Sequence, residues 1–287
     1  LHIIQNKFNQ KTFLDKHNLP VGEFKKINTL DELYKISDIY GFPLLLKSCR
    51  GGYDGKGNYF IKSREDIPLA YEELGGGKLE IMAETYIDFK KEVSVIAARG
   101  MSGEIKIYPL GENIHENNIL KTTIVPARVS EEIVKKAEDL AFKTMDVLKG
   151  VGIFCIEMFL DQNDELLINE IAPRTHNSGH YTIEASSTSQ FNQHIRAILG
   201  LSLGSTSLIR PAVMINLLGE EGYEGNAKLV GMTKALKIPD LYIHFYGKTI
   251  TKPERKMGHI TVLGNDIKEI LEKTKDINKI VKVIAVD

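Results

Sequence analysis

Leu44-Leu-Leu-Lys47, followed three residues later by Gly51-Gly-Tyr-Asp-Gly-Lys-Gly57, decides how the chain is read. The apolar run ending in lysine reads as a strand. A glycine-dense loop beside it lets backbone N–H groups close on phosphate oxygens without Cβ clashes. Two familiar phosphate loops do not fit. Walker A needs Gly-Lys followed by Ser or Thr, whereas Lys56 precedes Gly57 and Asn58. The dinucleotide fingerprint places its glycines between a strand and a helix. Here the loop runs into Asn58-Tyr-Phe-Ile-Lys62, which alternates like a second strand. Strand, glycine loop and antiparallel strand make a flap that folds over a triphosphate. A wide hairpin turn is the alternative for such a loop taken alone, and the residues downstream decide between the two.

Outward from the flap, the Thr29-Leu-Asp-Glu32 capping box opens a helix to about Tyr40, and a helix covers Lys7 to His17. A further helix runs from Arg64 to Leu74 and ends at Gly75-Gly-Gly77. Strand patterns follow at 79–86, 92–99, 105–110 and 120–127, then a long amphipathic helix from Ser130 to Leu148. Gly152–Leu160 and Leu166–Ile171 form a strand pair around the polar turn Asp161–Glu165, and Ser189–Leu199 is helical. After a Ser/Gly-rich boundary at 200–210, strands are expected at 212–218, 241–246 and 259–263, and a helix at 267–273. Antiparallel strands and helices in segregated runs predict an α+β fold. The expected division is a first domain over 1–205, with a flap subdomain at about 27–88, and a small β-rich domain over 206–287.

Bulk composition excludes several classes. The 287 residues are 43% apolar and 26% charged, an ordinary globular balance, and the net charge of −1 supplies no field for nucleic acid. No apolar stretch approaches the ~18 residues of a membrane span. The two cysteines, Cys49 and Cys155, read as reduced core thiols of a cytoplasmic protein.

Glu157 and Glu170 sit near the ends of the paired strands, and the short turn can place both carboxylates side by side on one face, the alternative being that one of them lies on the solvated face of a half-exposed strand. Their apolar flanks predict burial, and two carboxylates there repel unless a cation neutralises them. Magnesium, held by carboxylates together with substrate phosphates, resolves the conflict. Arg174-Thr-His-Asn-Ser-Gly-His180 follows at once. Arginine suits a bidentate oxyanion contact, and the two histidines suit bicarbonate or a leaving phosphate. Their four-residue spacing also fits zinc, but no third ligand is near in sequence and Asn-Ser-Gly predicts a loop.

Together these residues resemble the ATP-grasp superfamily, and within it the 5-(carboxyamino)imidazole ribonucleotide synthetase family, or the equivalent part of fused aminoimidazole ribonucleotide carboxylases. The matching segments are Gln10–Leu14, Gly51–Gly57, Glu84–Ile87, Glu92–Ser94, Tyr108–Leu110 with His115, Asn169–Arg174, His176–His180 and Arg255–His259. The resemblance implies antiparallel sheets with a glycine-rich flap and a C-terminal β-rich domain. It implies that ATP phosphorylates bicarbonate to carboxyphosphate, which carboxylates aminoimidazole ribonucleotide in purine biosynthesis. Lys7, Lys47 and Gly51, Gly52, Tyr53, Asp54, Gly55, Lys56 and Gly57 would contact the phosphates. The backbone of Glu84, Thr85, Tyr86 and Ile87 would meet adenine, Glu92 the ribose, and His115 and Asn169 would complete the nucleotide site. Glu157 and Glu170 would hold Mg2+. Tyr53, Asp54, Lys56, Arg174, His176 and Asn177 would line the bicarbonate and imidazole region, and Lys248 and Arg255 would hold the ribonucleotide phosphate. A homodimer is implied as well.

The chain departs from that pattern in three places. Lys7 and Lys56 stand where many relatives carry arginine, which keeps the charge and loses bidentate geometry. Glu254 replaces a usual glycine beside Arg255. Relatives begin with a further N-terminal domain carrying part of the imidazole ribonucleotide site, which the segment from Leu1 does not contain. Another ATP-grasp carboxylase or carboxylate–amine ligase, or a nucleotide-binding module without turnover, are the competing expectations.

Overall fold

The computed structural model describes residues 2–52 and 57–286. Tyr53, Asp54, Gly55 and Lys56, all assigned to the flap above, lie outside the described residues. The chain divides into two compact units, one formed by 1–92 with 156–173 and the other by 93–155 with 174–287.

In the first unit, α1 (Lys7–Lys16) is capped by Asn6, whose side chain accepts from the Asn9 N–H at 3.0 Å. β1 (Phe24–Ile27) leads to α2 (Leu30–Tyr40), where the Thr29 hydroxyl accepts from Glu32 N–H and the Glu32 carboxylate reaches back to Asn28 N–H at 2.8 Å. β2 (Leu44–Ser48) and β3 (Asn58–Ile61) pair antiparallel, Leu44 opposite Ile61 and Lys47 opposite Asn58, as the alternation predicts. α3 (Ile67–Glu73) and β4 (Ile81–Thr85) complete a sheet of order β1-β4-β2-β3. Leu33, Leu44, Leu46, Ile61, Ile67 and Ile81 are fully buried in one cluster between α2, α3 and the sheet. Gly51 and Gly57 hold φ of 77° and 82°, the left-handed region where a side chain is strained. A Cβ on Gly57 would also stand 3.3 Å from Gly52 Cα. Gly57 C=O then accepts from Ser48 N–H at 2.7 Å and closes the hairpin.

The second unit opens within β5 (Phe89–Arg99) and continues through β6 (Ile105–Ile107), β7 (Gly111–Glu116) and β8 (Ile119–Val125). α4 (Glu131–Leu148) starts at Ser130, whose side chain accepts from Ile133 N–H, and ends at Lys149 in the left-handed region. β9 (Gly152–Asp161) passes its later residues, with all of β10 (Leu166–Ala172), to the first unit, where the two strands are neighbours. α5 (Thr182–Ala185), α6 (Gln190–Ile198), β11 (Ala212–Leu218), β12 (Gly225–Val230), α7 (Met232–Ala235), β13 (Leu241–Phe245), β14 (Ile250–Thr251), β15 (Lys256–Leu263), α8 (Ile267–Ile280) and β16 (Lys282–Val286) follow. Strand order is β5-β7-β8-β11-β15-β13, with a separate sheet β14-β12-β16. Buried Val213, Ile215, Ile260, Val262, Ile270 and Ile277 pack α8 onto the sheet.

The mixed, largely antiparallel architecture matches the α+β expectation, and the Cys49 and Cys155 thiols are buried. Several elements differ from the sequence reading. The strand expected to reach Leu110 stops at Ile107, and β7, β12 and β16 were not anticipated. α8 runs seven residues past Lys273, from Ile267 to Ile280, because Thr274 and Ile277 continue its buried stripe. Among the described residues, no helix is long and apolar enough to cross a membrane.

Candidate active site

In the first unit α1 presents Lys7 and Lys11 one turn apart, and each meets a carboxylate. Lys7 Nζ pairs with Glu170 of β10. Lys11 Nζ lies 3.3 Å from Glu84 Oε1, whose other oxygen accepts from Lys47 Nζ at 2.7 Å. Glu84 lies opposite Leu45 in the β2–β4 register and so shares a face with Lys47, two residues on. Burial pushes the Glu84 carboxyl up, but Lys47 and Lys11 outweigh it and hold the group below the ordinary carboxylate range. Burial pushes Lys11 below the usual lysine value, with Glu84 opposing. The pairing of Glu84 with two lysines was not visible in sequence.

β10 is fixed against α1 by an amide: Gln10 Oε1 accepts from Ile171 N–H at 2.9 Å, and Gln10 Nε2 donates to Ile171 C=O at 3.1 Å. Glu170 is thereby set beside Lys7, with 41% of its side chain exposed. Glu157 and Glu170 come from neighbouring strands and both are half-buried. Asn169, on β10, and Glu92, on β5, are half-buried too. Thr85 ends β4, and Tyr86 beyond it stacks edge-on to Phe60 at 5.5 Å.

In the second unit the loop after β10 is locked from several sides. Gln190, fully buried, accepts from His176 N–H at 2.9 Å and donates to His176 C=O at 2.7 Å. A Cβ on Gly179 would sit 2.6 Å from Gln190 Oε1, so only glycine lets that side chain in. The Asn177 and Asn216 amides hold each other through reciprocal bonds of 2.8 and 2.7 Å. Residues 177–179 form a 3-10 turn, so the four-residue spacing of His176 and His180 carries no helical geometry. Arg174 is exposed, its guanidinium donating to Thr175 C=O at 3.0 Å. A register shift between Ile114 and His115 marks a bulge that re-aims His115. Gln190 and Asn216 were missed in sequence, because buried amides carry no local signal.

Three imidazoles stack beyond this loop. The His259 ring centroid is 4.7 Å from that of His180 and 4.5 Å from that of His244; Tyr246 Oη lies 2.9 Å from His259 Nδ1, and His244 Nε2 meets Glu184 Oε1 at 2.6 Å. Burial lowers His176 and His259 to about 3 and His180 to about 4, with neighbouring positive charge adding to it. These groups stay neutral in the native state while the unfolded chain takes up protons near pH 6.5. Their contribution is complete above pH 6.5 and is lost as pH falls toward 4, by about 1.4 kcal/mol per unit for each group. Urea midpoints should therefore drop sharply between pH 7 and pH 5; equal midpoints would show that the native histidines titrate normally.

Lys248, Arg255 and Lys256 cluster in the same unit. Lys248 Nζ donates to Lys256 C=O at 2.6 Å, and burial, then Arg255 and Lys256, lower its pKa. Beside them Glu254 holds φ of 62°. The left-handed backbone there favours glycine, and a glutamate strains it by about 1 kcal/mol. Glu254→Gly should tighten anion binding to this cluster without loss of thermal stability, as read by titration with inorganic phosphate. Weaker binding or a lowered melting temperature would argue against an anion role.

A sheet-bearing unit with a glycine-flanked hairpin, neighbouring strands that each carry a glutamate, and buried lysines fits an ATP-grasp protein, and the family comparisons agree. The ATP-grasp domain model matches residues 12–191, and the phosphoribosylaminoimidazole carboxylase C-terminal domain model matches residues 212–273. The chain is 47% identical over 264 residues to the N5-carboxyaminoimidazole ribonucleotide synthase of Bacillus subtilis, covering 92% of this chain and 67% of that one. It is 42% identical to the phosphoribosylaminoimidazole carboxylase of Candida albicans, covering 100% of this chain and 52% of that protein, so it spans about half the latter's length. The crystal structure of N5-carboxyaminoimidazole synthase from Aspergillus clavatus, in complex with ADP and 5-aminoimidazole ribonucleotide, superposes with a TM-score of 0.87 at 38% identity, over 97% of this chain and 73% of that one. The chain belongs to the ATP-grasp family and, within it, to the N5-carboxyaminoimidazole ribonucleotide synthase group.

Proposed function

We propose that this protein uses ATP to carboxylate aminoimidazole ribonucleotide with bicarbonate through carboxyphosphate, giving N5-carboxyaminoimidazole ribonucleotide, ADP and phosphate in purine biosynthesis. The observation that carries the reading is the pair Glu157 and Glu170 on neighbouring strands, with Lys7 on Glu170, in a chain of this family. The ADP and 5-aminoimidazole ribonucleotide bound to the Aspergillus relative support both ligands.

Carboxylate oxygens from two strands are the hard donors that suit Mg2+ alongside phosphate oxygens. When bound, the ion would neutralise charge on the transferring phosphoryl group. Lys7, Lys47 and the 51–57 flap bind the phosphates. The backbone of 84–87 takes adenine, with Glu92 on the ribose and His115 and Asn169 beside the nucleotide. The Lys47–Glu84–Lys11 cluster fixes Lys47 in place before substrate arrives, and such preorganised charge costs no reorganisation during transfer. Tyr53, Asp54 and Lys56 of the flap act on bicarbonate and the imidazole amine together with Arg174, His176 and Asn177. Lys248 and Arg255 hold the ribonucleotide phosphate. The flap excludes water from the short-lived acyl phosphate. Residues 1–205 serve as the ATP-grasp domain, with the flap subdomain at about 27–88, and 206–287 as a small C-terminal β-rich domain, in a cytoplasmic homodimer.

ADP release measured with ATP, Mg2+ and bicarbonate should rise at least tenfold on adding aminoimidazole ribonucleotide and stay flat with biotin or glycine. Stimulation by either of the latter would move the protein to another ATP-grasp carboxylase or ligase. ATP binding with no phosphate release would leave only a nucleotide-binding module.

A further inference from the structure

Behind His176 runs a buried chain of hydrogen bonds that the reaction as outlined does not use. Thr123 Oγ1 donates to Asn113 Oδ1 at 3.0 Å, and Asn113 Nδ2 donates to Ser94 Oγ at 2.8 Å. Ser94 Oγ donates to Ser178 Oγ at 3.0 Å, and Ser178 Oγ lies 2.9 Å from His176 Nδ1. Thr123 is fully buried, and Ser178, Ser94 and Asn113 are 1%, 3% and 5% exposed. The four come from three strands and the 3-10 turn: Ser94 on β5, Asn113 opposite Thr123 in the β7–β8 register, and Ser178 two residues after His176.

The direction of this chain fixes a proton. A hydroxyl carries a single hydrogen, so each group that accepts from behind passes its own hydrogen forward. With the Asn113 oxygen facing Thr123 and its NH2 facing Ser94, the Ser94 hydrogen goes to Ser178. The Ser178 hydrogen then goes to Nδ1. Cys155 Sγ also lies 3.6 Å from Ser178 Oγ, a contact in which either atom can donate, and a thiol that donates there leaves the Ser178 hydrogen for Nδ1. A second contact points the same way: the backbone N–H of Ser178 is directed at His176 Nδ1 at 3.4 Å, and a backbone amide can only donate. Nδ1 is thus an acceptor on two counts, and a neutral ring whose Nδ1 accepts carries its hydrogen on Nε2.

We propose that Ser178, oriented through Ser94, Asn113 and Thr123, is a positioning residue that fixes His176 as the neutral Nε2–H tautomer. His176 then acts as a hydrogen-bond donor to an oxyanion and not as a proton acceptor. On the reading under Proposed function, the oxyanion is one formed from bicarbonate. A donor there stabilises charge that builds on oxygen as the carboxyl group is transferred, without taking the proton of the attacking amine. The Gln190 amide holds the His176 backbone at both N–H and C=O, so the ring and its main chain are fixed by separate devices.

Ring 15N NMR on histidine-labelled protein tests this directly, with the His176 signals assigned by their absence in His176→Asn. Between pH 6 and 8 Nε2 should carry the hydrogen and Nδ1 should be bare. Ser178→Ala should shift the ring signals toward a tautomer mixture and lower kcat about 10²-fold with KM for ATP unchanged. Ser178→Thr should restore both. A hydrogen on Nδ1, an imidazolium at pH 7, or unchanged ring signals in Ser178→Ala would overturn the assignment. The nitrogen signals are read without substrate, so they stand or fall independently of whether aminoimidazole ribonucleotide is carboxylated.

Discussion

Glu170→Gln is expected to lower ATP turnover by at least about 10³-fold while the melting temperature stays within a few degrees of wild type. The substitution keeps the size of the side chain and removes the charge that Lys7 and a bound cation both require. The stability cost is small because 41% of the Glu170 side chain is exposed, where an ion pair contributes about 1 kcal/mol or less. The kinetic cost is expected to be large because the proposed metal site would lose one of its two hard oxygen ligands beside the triphosphate. Steady-state ADP production and a thermal melt on the same preparation read the two effects separately. A folded Glu170→Gln with wild-type turnover would remove the metal assignment.

The second large effect concerns stability. Glu84→Gln should destabilise the protein by about 3–5 kcal/mol. Glu84 is 4% exposed and compensates two buried lysines, Lys11 at 2% and Lys47 at 8%. Replacing it leaves both ammonium groups in an apolar interior, and Lys11, already pushed below its usual value by burial, loses the carboxylate that opposes that shift. The loss should ease as pH rises, since neutral Lys11 is tolerated there. Urea unfolding at pH 7 and pH 9 reads both the size and the pH trend. A midpoint equal to wild type would mean that the two lysines find other partners and that Lys47 is not held by Glu84.

Much of the first unit was legible in sequence because its signals are local. The alternation on either side of Gly51–Gly57 gave the β2–β3 hairpin, and the polar turn 161–165 gave the neighbouring strands β9 and β10. Thr29, Ser130 and Ser189 marked three helix starts, and each side chain accepts a backbone N–H as a cap should. What escaped was non-local. β7 follows Pro109 and contains a bulge at His115, which breaks the two-residue alternation that would reveal it. β12 and β16 alternate weakly because they form a small sheet in which most side chains are half-exposed.

The site shows the same division. Charged and glycine residues announced themselves by type and spacing, whereas the groups that hold them did not. Gln10 and Asn216 act through amides that meet partners far along the chain, 161 residues away for Gln10 and Ile171 and 96 for Asn216 and Leu120, while Gln190 reaches back 14 residues across an irregular loop to His176. Lys11 reads as an ordinary helix-surface lysine until Glu84 is placed beneath it. A single sequence offers candidate site residues more readily than the groups that position them, because positioning depends on contacts made only after folding.

Phosphoryl transfer to bicarbonate at the two-carboxylate site is the claim on which the rest depends. Turnover of the complete gene product with ATP, Mg2+, aminoimidazole ribonucleotide and [18O]bicarbonate, followed by 31P NMR of the released phosphate, tests it most directly. Attack of a bicarbonate oxygen on the γ-phosphorus leaves that oxygen in the product, so one 18O per phosphate is predicted. Phosphate released with no label from bicarbonate would mean that water, not bicarbonate, receives the phosphoryl group.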